Sequence, residues 1–156
     1  MYNKLKTLAQ LKIIIKQLKA KGKKIVFTNG CFDILHRGHV EYLKKAKAKG
    51  NVLIVGLNSD SSVRRLKGAK RPVNNQLDRA VVLSALESVD YVVLFSQDTP
   101  IELITAIKPD ILVKGGDWKP EDIVGSDVVR SYKGRVLTIP FVNGYSTTKL
   151  IKCIAS

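Results

Sequence analysis

Residues 28–39 read Thr-Asn-Gly-Cys-Phe-Asp-Ile-Leu-His-Arg-Gly-His, between a short apolar run at Lys24–Thr28 and a predicted helix at Gly38–Lys49. Both histidines of the chain, His36 and His39, fall in this stretch, at the start of that helix. The unpaired N–H groups and the dipole of a helix start attract phosphate. An imidazole can also donate a hydrogen bond to a phosphoryl oxygen. The stretch therefore predicts a strand, a phosphate-binding loop and a helix.

Short apolar runs and helical patterns alternate along the rest of the chain. Leucine and isoleucine at three- and four-residue steps predict a lead-in helix within residues 1–22. The other predicted strands are Asn51–Leu57, Tyr91–Phe95, Ile111–Val113 and Arg135–Ile139, and the other predicted helices are Asn75–Glu87, Pro100–Ile107, Gly125–Tyr132 and Ser146–Ile154. Nearly all-apolar strands separated by helices are typical of a parallel sheet covered on both faces. We therefore expect an α/β fold with a doubly wound, Rossmann-like sheet of five parallel strands.

Length and composition restrict the class of protein. The chain has 156 residues and no linker, repeat or low-complexity segment, so we expect a single domain over residues 1–156. No apolar run approaches the ~20 residues that cross a bilayer, and the amino terminus lacks the apolar core of a signal peptide. Two distant cysteines, Cys31 and Cys153, favour reduced thiols. The expected location is the cytoplasm.

Basic side chains are concentrated near the amino terminus. The net charge is +14, and residues 1–50 contain 13 basic side chains against two acidic ones. Such a balance suits nucleic acid, an anionic membrane surface or a phosphorylated small molecule. Because no arginine-rich or repeated base-stacking motif accompanies the lysines, we expect neither nucleic acid nor a membrane as partner. A basic nucleic-acid-binding module is the alternative from another functional class.

Further polar groups follow the later strands, at the sheet edge where doubly wound proteins bind ligands. Lys67 and Arg71 lie in a predicted mobile loop that closes on phosphates. Lys114 follows an apolar strand, and the two glycines after it would let the backbone approach a ligand. Asp117 can accept hydrogen bonds from sugar hydroxyls or help to hold Mg²⁺. Trp118 can stack on a ring or pack on its own loop.

The last predicted helix begins at Ser146–Thr148, where hydroxyl groups are combined with the unpaired N–H groups of a helix start. This combination suits phosphate binding or an ordinary helix cap.

Other phosphate-binding and metal-binding signatures are missing from the sequence. It has neither the glycine pattern of a dinucleotide fold nor the Gly-Lys-Ser/Thr of a P-loop, which argues against a dehydrogenase and a P-loop kinase. No third or fourth ligand at metal spacing accompanies His36 and His39, so no protein metal site is expected.

These motifs together resemble a known superfamily. His36-Arg37-Gly38-His39 after the first strand is similar to the HxGH signature of the nucleotidyltransferases, and Gly144–Lys149 is similar to the Ser-Thr-Thr loop of their cytidylyltransferase-like branch. The resemblance narrows to the heptose 1-phosphate adenylyltransferases, in their stand-alone form without a sugar kinase domain. It rests on Asn58–Asp60, Arg65–Gly68, Arg71–Val73 and Leu112–Glu121, and it covers the chain from about Gly22 to the end.

The resemblance implies transfer of AMP from ATP to D-glycero-D-manno-heptose 1-phosphate, giving ADP-heptose and pyrophosphate for lipopolysaccharide or surface glycan precursors. It implies Mg²⁺ bound mainly through the ATP phosphates, and it is compatible with a homodimer, as is the apolar stripe of the lead-in helix. The implied catalytic residues are His36, His39 and Lys114. The implied nucleotide-binding residues are Asn29, Gly30, Cys31, Phe32, His36, His39, Gly116, Ser146, Thr147 and Thr148, and the implied substrate-binding residues are Asn58, Asp60, Lys67, Arg71, Lys114 and Asp117.

One segment departs from the pattern. Glycerol-phosphate cytidylyltransferases resemble this chain but carry an Arg-Thr pair where residues 141–143 read Phe-Val-Asn. The departure removes one expected phosphate-binding arginine. No residue of the sequence by itself selects adenine over cytosine, so a cytidylyltransferase acting on glycerol 3-phosphate or another small phosphorylated acceptor is the alternative.

Asp33 is expected to hold its loop through backbone N–H groups.

Overall fold

The computed structural model describes residues 2–156, with side chains from residue 3 onward. Its strands are β1 Ile25–Gly30, β2 Val52–Asn58, β3 Tyr91–Phe95, β4 Ile111–Gly115 and β5 Arg135–Ile139. Its α-helices are α1 Leu8–Ala20, α2 Arg37–Lys47, α3 Asp60–Lys67, α4 Gln76–Ser84, α5 Ile101–Ile107, α6 Ser126–Ser131 and α7 Thr147–Ala155. Short 3₁₀ helices lie at Tyr2–Lys4 and Pro120–Asp122.

All five strands are parallel, and their order is β3-β2-β1-β4-β5. The predicted doubly wound sheet is therefore confirmed. The chain leaves β1 toward β2 on one side and later returns to place β4 on the other. The order reverses between β1 and β4, and a crevice opens there beyond the carboxyl ends of the strands. The loops that follow β1 and β4 meet at this crevice.

The sheet is buried on both faces. Helices α1, α5 and α6 cover one face, with Leu11, Ile104 and Val129 in that layer of the core. Helices α2 and α4 cover the other face through side chains such as Leu43 and Leu83. Each large apolar side chain buried in this way contributes roughly 1.5–3 kcal/mol relative to an exposed position. The two layers hold the strand ends, and hence the crevice, in place.

The lead-in helix packs on its own domain. It begins at Leu8, because Thr7 caps it and exchanges hydrogen bonds with Gln10. Its stripe is buried through Leu11 and Ile15, beside α5. The periodic pattern also includes Leu5, but this residue precedes the helix and forms a bridge to the edge strand β3. Because the apolar stripe is buried against its own domain, it does not support a homodimer.

Local predictions need correction at β1, α3 and β4. Strand β1 extends two residues beyond the predicted Thr28, so Asn29 and Gly30 are part of the strand. The sequence pattern predicts no helix between β2 and Asn75, but α3 occupies Asp60–Lys67 and ends at Gly68. Its signal is weak, since Val63 is its one buried apolar side chain and its start depends on a cap by Ser59. Lys67 therefore lies on a helix and not in a loop. Strand β4 also extends two residues beyond the predicted Val113, so Lys114 is part of the strand. Among residues 2–156, no helix is long and apolar enough to cross a bilayer.

Candidate functional site

A cavity of about 730 Å³ opens at the carboxyl ends of the strands. It is lined by the loop after β1, the end of β4, the start of α7 and the segment around Lys67 and Arg71. All of the predicted site residues line it except Asp60, Gly116 and Asp117. Segments separated by more than 100 residues in sequence therefore meet at one site.

The two imidazoles form a stacked pair at the start of α2. The ring centroids of His36 and His39 lie 3.9 Å apart, with an interplanar angle of 24°. The backbone N–H of His36 donates to Nδ1 of His39 at 3.4 Å, so a neutral His39 carries its proton on Nε2. A Cβ at Gly38 would lie 2.9 Å from Cε1 of His36 and 3.1 Å from Cβ of Tyr145. Glycine between the histidines is thus required by their own packing.

Both imidazoles are neutral at neutral pH. Burial, followed by repulsion from His36, lowers the pKa of His39 to about 4. Burial also lowers the pKa of His36. Nδ1 of His36 is buried without a hydrogen-bond partner in the described chain. The pair can therefore present neutral N–H donors to an oxyanion.

Positive side chains line another part of the cavity. Lys114 is partly buried at the end of β4 and has no carboxylate within 4.0 Å in residues 2–156. Burial lowers its pKa, with Cys31 opposing and Lys67 reinforcing the shift. An amine held in this way without a counter-ion favours an anionic ligand. Arg71 and Lys67 line the same cavity and add to its positive potential.

Arg71 forms an ion pair with Asp33 beside the cavity. Nε of Arg71 donates to Oδ2 of Asp33 at 2.6 Å. The same carboxylate accepts hydrogen bonds from the N–H groups of Val73 and Asn74 at 2.9 and 3.0 Å. Burial would raise the pKa of Asp33, but these hydrogen bonds and the Arg71 charge hold it below its ordinary value. Asp33 has the structural role that was expected, although it holds the 71–74 segment and not its own loop.

A buried arginine on α4 was missed by the sequence reasoning. Arg79 is 2% exposed and donates to the carbonyl oxygens of Cys31, Asn58 and Asn74. It also donates to Oδ1 of Asp60 at 2.8 Å. Asp60 is therefore not a cavity residue, because its carboxylate neutralises this guanidinium. The signal in the sequence was one arginine on the same face as the buried apolar positions of a helix.

Some other predicted contacts are satisfied inside the protein. The side-chain amide of Asn58 donates to Oγ of Ser62, 2.9 Å away. Oγ of Ser146 caps α7 by accepting from the N–H of Lys149 at 3.0 Å. Oγ1 of Thr147 donates to the carbonyl of Ile34 at 3.2 Å. Thr148 has an exposed side chain at this helix start, with no such bond in the described chain.

The glycine pair after Lys114 serves a different purpose from the one predicted. A Cβ on Gly115 would lie 2.7 Å from Cε1 of Phe141, and a Cβ on Gly116 would lie 2.9 Å from Cε2. The pair thus makes room for the Phe141 ring, while Gly116 is itself outside the cavity. Asp117 is exposed outside the cavity as well, so a role in holding a sugar or Mg²⁺ has no geometric support.

Comparison with known proteins agrees with this architecture. Residues 27–153 match the family model described as cytidylyltransferase-like. The chain is 61% identical to bifunctional protein HldE of Geobacter metallireducens over 148 residues, which cover 95% of this chain and 30% of that protein. It is 62% identical to HldE of Wolinella succinogenes over 141 residues, covering 90% of this chain and 29% of that protein. The chain thus spans about 30% of the length of these curated relatives.

Two solved structures share the fold. The lipopolysaccharide core biosynthesis protein of Thermoplasma volcanium has a TM-score of 0.63 at 28% identity, covering 80% of this chain and all of that one. Pantoate-beta-alanine ligase of Francisella tularensis, solved in complex with beta-gamma ATP and beta-alanine, also has a TM-score of 0.63. Its identity is 17%, and the match covers 96% of this chain and 76% of that one. At that identity the second likeness concerns the fold alone.

Proposed function

This chain belongs to the cytidylyltransferase-like family of nucleotidyltransferases, and we propose that it transfers AMP from ATP to D-glycero-D-manno-heptose 1-phosphate. The products are ADP-heptose and pyrophosphate. The observation that carries the proposal is the pairing of two neutral imidazoles with three positive side chains around one cavity. Such a site suits two phosphorylated substrates that must approach each other despite their negative charges.

The reaction needs no covalent intermediate with the protein. A phosphate oxygen of the acceptor attacks the α-phosphorus of ATP, and the bond from that phosphorus to the bridging oxygen of pyrophosphate breaks. Negative charge grows on the leaving pyrophosphate. His36 and His39 donate hydrogen bonds to it, and the N–H groups at the starts of α2 and α7 add favourable dipoles.

The cations hold the acceptor and the triphosphate against each other. Lys114 lies at the end of β4, and the Asp33 ion pair holds Arg71 at the same cavity. Because Asp33 uses Nε of Arg71, the terminal amino groups of the guanidinium remain available to a phosphate. Lys67, exposed at the end of α3, approaches from the solvent side. Fixed charges of this kind position the reacting atoms at little entropic expense.

The choice of acceptor is supported by comparison. The motifs from Asn58 to Glu121 resemble heptose 1-phosphate adenylyltransferases, and identity to bifunctional HldE proteins is 61–62% over nearly the whole chain. The related Thermoplasma volcanium protein is described as acting in lipopolysaccharide core biosynthesis. A sugar 1-phosphate acceptor is consistent with that class of product.

Mg²⁺ is proposed as a companion of ATP and not as a resident of the protein. Within residues 2–156, no group of three histidine, cysteine or acidic side chains is arranged to hold a metal ion. Of the three carboxylates that line the cavity, Asp33 is engaged by Arg71 and Asp98 by Arg65. The third, Asp122, is exposed and stands alone in the described chain. The residues present do not form a magnesium cage, so we assign the ion to the triphosphate oxygens, where it commonly keeps several waters.

We propose the cytoplasm as the location. Cys31 and Cys153 are both free thiols, which suits a reducing compartment. ATP and sugar phosphates are also cytoplasmic substrates. A homodimer stays a prediction that sedimentation analysis of the purified chain can test.

The test is an assay of pyrophosphate release. ATP and CTP are each offered with heptose 1-phosphate, other sugar 1-phosphates and glycerol 3-phosphate. The proposal expects the fastest release with ATP and heptose 1-phosphate, with the His39→Ala variant as the background control. Faster release with CTP and glycerol 3-phosphate would transfer the protein to the cytidylyltransferase alternative. If no acceptor in the panel gave pyrophosphate release, the proposal would be refuted.

A further inference from the structure

The cavity has a second chemical character that phosphate binding does not use. Its lining includes a group of apolar side chains contributed by the segments after β4 and β5: Ile123, Val124, Phe141 and Val142. A triphosphate gains nothing from such a surface, because its oxygens require hydrogen-bond donors and cations. A nucleotide, however, carries a flat apolar ring at the opposite end of its triphosphate. The cavity lining therefore offers both polar and apolar groups, as a nucleoside triphosphate does.

Phe141 is the most exposed of the phenylalanine, tyrosine and tryptophan side chains that line the cavity. Its exposed fraction is 66%, although phenylalanine is usually buried. Its position is nevertheless defined, because the ring lies against the backbone of Gly115 and Gly116. Gly116 also adopts a φ of +102°, which favours glycine. The two glycines together form a seat for one side of the ring and leave much of the rest of it open at the cavity.

We propose that Phe141 is the stacking platform for the nucleotide base and that it favours a purine over a pyrimidine. The inference rests on the proposed function only in taking a nucleoside triphosphate as the ligand. Stacking on an aromatic ring contributes substantially to base binding, and it needs no hydrogen-bond code. A purine has two fused rings and covers more of Phe141 than a pyrimidine does. The Phe-Val-Asn departure at residues 141–143 thus supplies a base contact in place of the expected arginine.

The other aromatic side chains at the cavity are placed differently. The Tyr145 ring lies 6.1 Å from His36 with an interplanar angle of 23°, and its Cβ is close to Gly38. Tyr145 therefore belongs to the phosphate end of the site. Trp118 lines the cavity and is 54% exposed, but its segment provides no glycine seat like that of Phe141. Trp118 is the competing platform, and the experiment includes it.

Equilibrium binding tests the proposal without requiring catalysis. Affinities for a non-hydrolysable ATP analogue, the CTP analogue and inorganic tripolyphosphate are measured by calorimetry on the wild-type chain and on Phe141→Ala, Phe141→Tyr and Trp118→Ala. Leu77→Ala, an exposed apolar residue of α4 outside the cavity, is the matched control. We expect Phe141→Ala to bind the ATP analogue about tenfold more weakly, in the range for loss of a stacking partner. Phe141→Tyr stays within about threefold of wild type, and tripolyphosphate binding is unchanged in both.

A second variant tests the glycine seat independently. Gly115 has no positive φ, so Gly115→Ala adds a Cβ without backbone strain but displaces the Phe141 ring. We expect Gly115→Ala to weaken the ATP analogue nearly as much as Phe141→Ala does. In the double variant the ring that the added methyl group would displace is already absent, so the methyl group should cause no further loss. Additive losses would show that the seat acts separately from the ring.

Several results would overturn the inference. If Phe141→Ala bound the ATP analogue as tightly as wild type, the stacking role would be refuted. If that variant lost tripolyphosphate binding as much as ATP-analogue binding, Phe141 would have only a structural role. Weaker binding of the ATP analogue by Trp118→Ala, with unchanged binding by Phe141→Ala, would assign the stacking role to Trp118. A wild-type preference for the CTP analogue would refute the purine choice. Failure of pyrophosphate release with intact nucleotide stacking would refute the proposed reaction and leave the platform standing.

Discussion

Thr147 and Ile34 are 113 residues apart in sequence, yet Oγ1 of Thr147 donates a hydrogen bond to the Ile34 carbonyl at 3.2 Å. The bond joins the start of α7 to the loop that carries the two histidines. Helix α7 has no fully buried side chain, so little else holds its first turn at the cavity. Two helix starts that would each favour phosphate are thereby kept side by side.

Thr147→Val removes this tether while keeping the shape of the side chain. A net hydrogen bond of about 1 kcal/mol corresponds to roughly fivefold in an opening equilibrium. We expect backbone amides of α7 to exchange with deuterium about fivefold faster, as measured by mass spectrometry, and pyrophosphate release to slow. Thr148→Val, which breaks no such bond in the described chain, should leave the exchange rate unchanged. Equal exchange in both variants would show that the tether does not hold the helix.

His39→Ala and His36→Ala should each lower turnover by on the order of 10²-fold or more, because a lost donor to a developing oxyanion raises the barrier by ~2.7–4 kcal/mol. The measurement is steady-state pyrophosphate release, with far-UV circular dichroism to confirm folding. Lys45→Ala, exposed on the same helix, is the control. Near-normal turnover in a folded histidine variant would remove that imidazole from the leaving-group site.

Folding stability should fall with acidity between about pH 6.5 and about pH 4. The unfolded imidazole of His39 has an ordinary pKa of about 6.5, whereas burial lowers the pKa in the folded protein to about 4. Between these values the unfolded chain binds a proton that the folded protein does not, so stability is fully present above the unfolded pKa and is lost on acidification. Allowing for partial exposure, the loss is about 1–2 kcal/mol.

Urea unfolding at about pH 7 and about pH 4.5 measures this dependence. His39→Gln removes the titrating group, and its free energy of unfolding should change less between the two conditions than that of wild type. An identical pH dependence in the variant would contradict the assignment to His39. The lowered pKa of His36 acts in the same direction, so some dependence should remain.

Lys114→Gln should raise the acceptor KM by about tenfold or more, because it removes a partly buried cation from the cavity. The matched control replaces three exposed lysines, Lys16, Lys44 and Lys45, by glutamine. Its turnover should stay within about twofold, since exposed charges contribute little locally. Lys47 is unsuitable as a control because it forms an ion pair with Asp90.

The same control variant also tests the nucleic-acid alternative. Tight, salt-sensitive duplex binding by the wild-type chain that disappears in the triple lysine variant would favour that alternative. We expect weak binding in both. Tight, salt-sensitive duplex binding together with no pyrophosphate release would refute the proposed reaction.

Arg79→Met should destabilise the fold by about 3–5 kcal/mol, because it leaves three carbonyl oxygens and the Asp60 carboxylate without their buried donor. The measurement is the midpoint of urea unfolding at constant slope. Arg64→Met, on the exposed face of α3, is the control and should change stability by less than about 0.5 kcal/mol. A loss below about 1 kcal/mol in Arg79→Met would show that the guanidinium does not hold the three segments together.

The predictions that succeeded were those with a local cause. Strands β1 to β5 were found because each is a short apolar run, and α2 and α7 because a capping or glycine signal marks a periodic pattern. Helix α3 was missed because eight mostly polar residues carry almost no periodicity. Its existence depends on the Ser59 cap and on packing against the end of β2, which the residues themselves do not reveal.

By itself, the sequence determined the class of fold, the histidine loop and the phosphate-binding helix starts, because strand and helix periods and helix caps act within a few residues. Only the tertiary structure decided which polar groups are free to meet a ligand. Asp60 is used by Arg79, and Gly116 makes room for Phe141. Those pairings join segments far apart in sequence, and a buried charge or an open ring surface is defined by its neighbours in space.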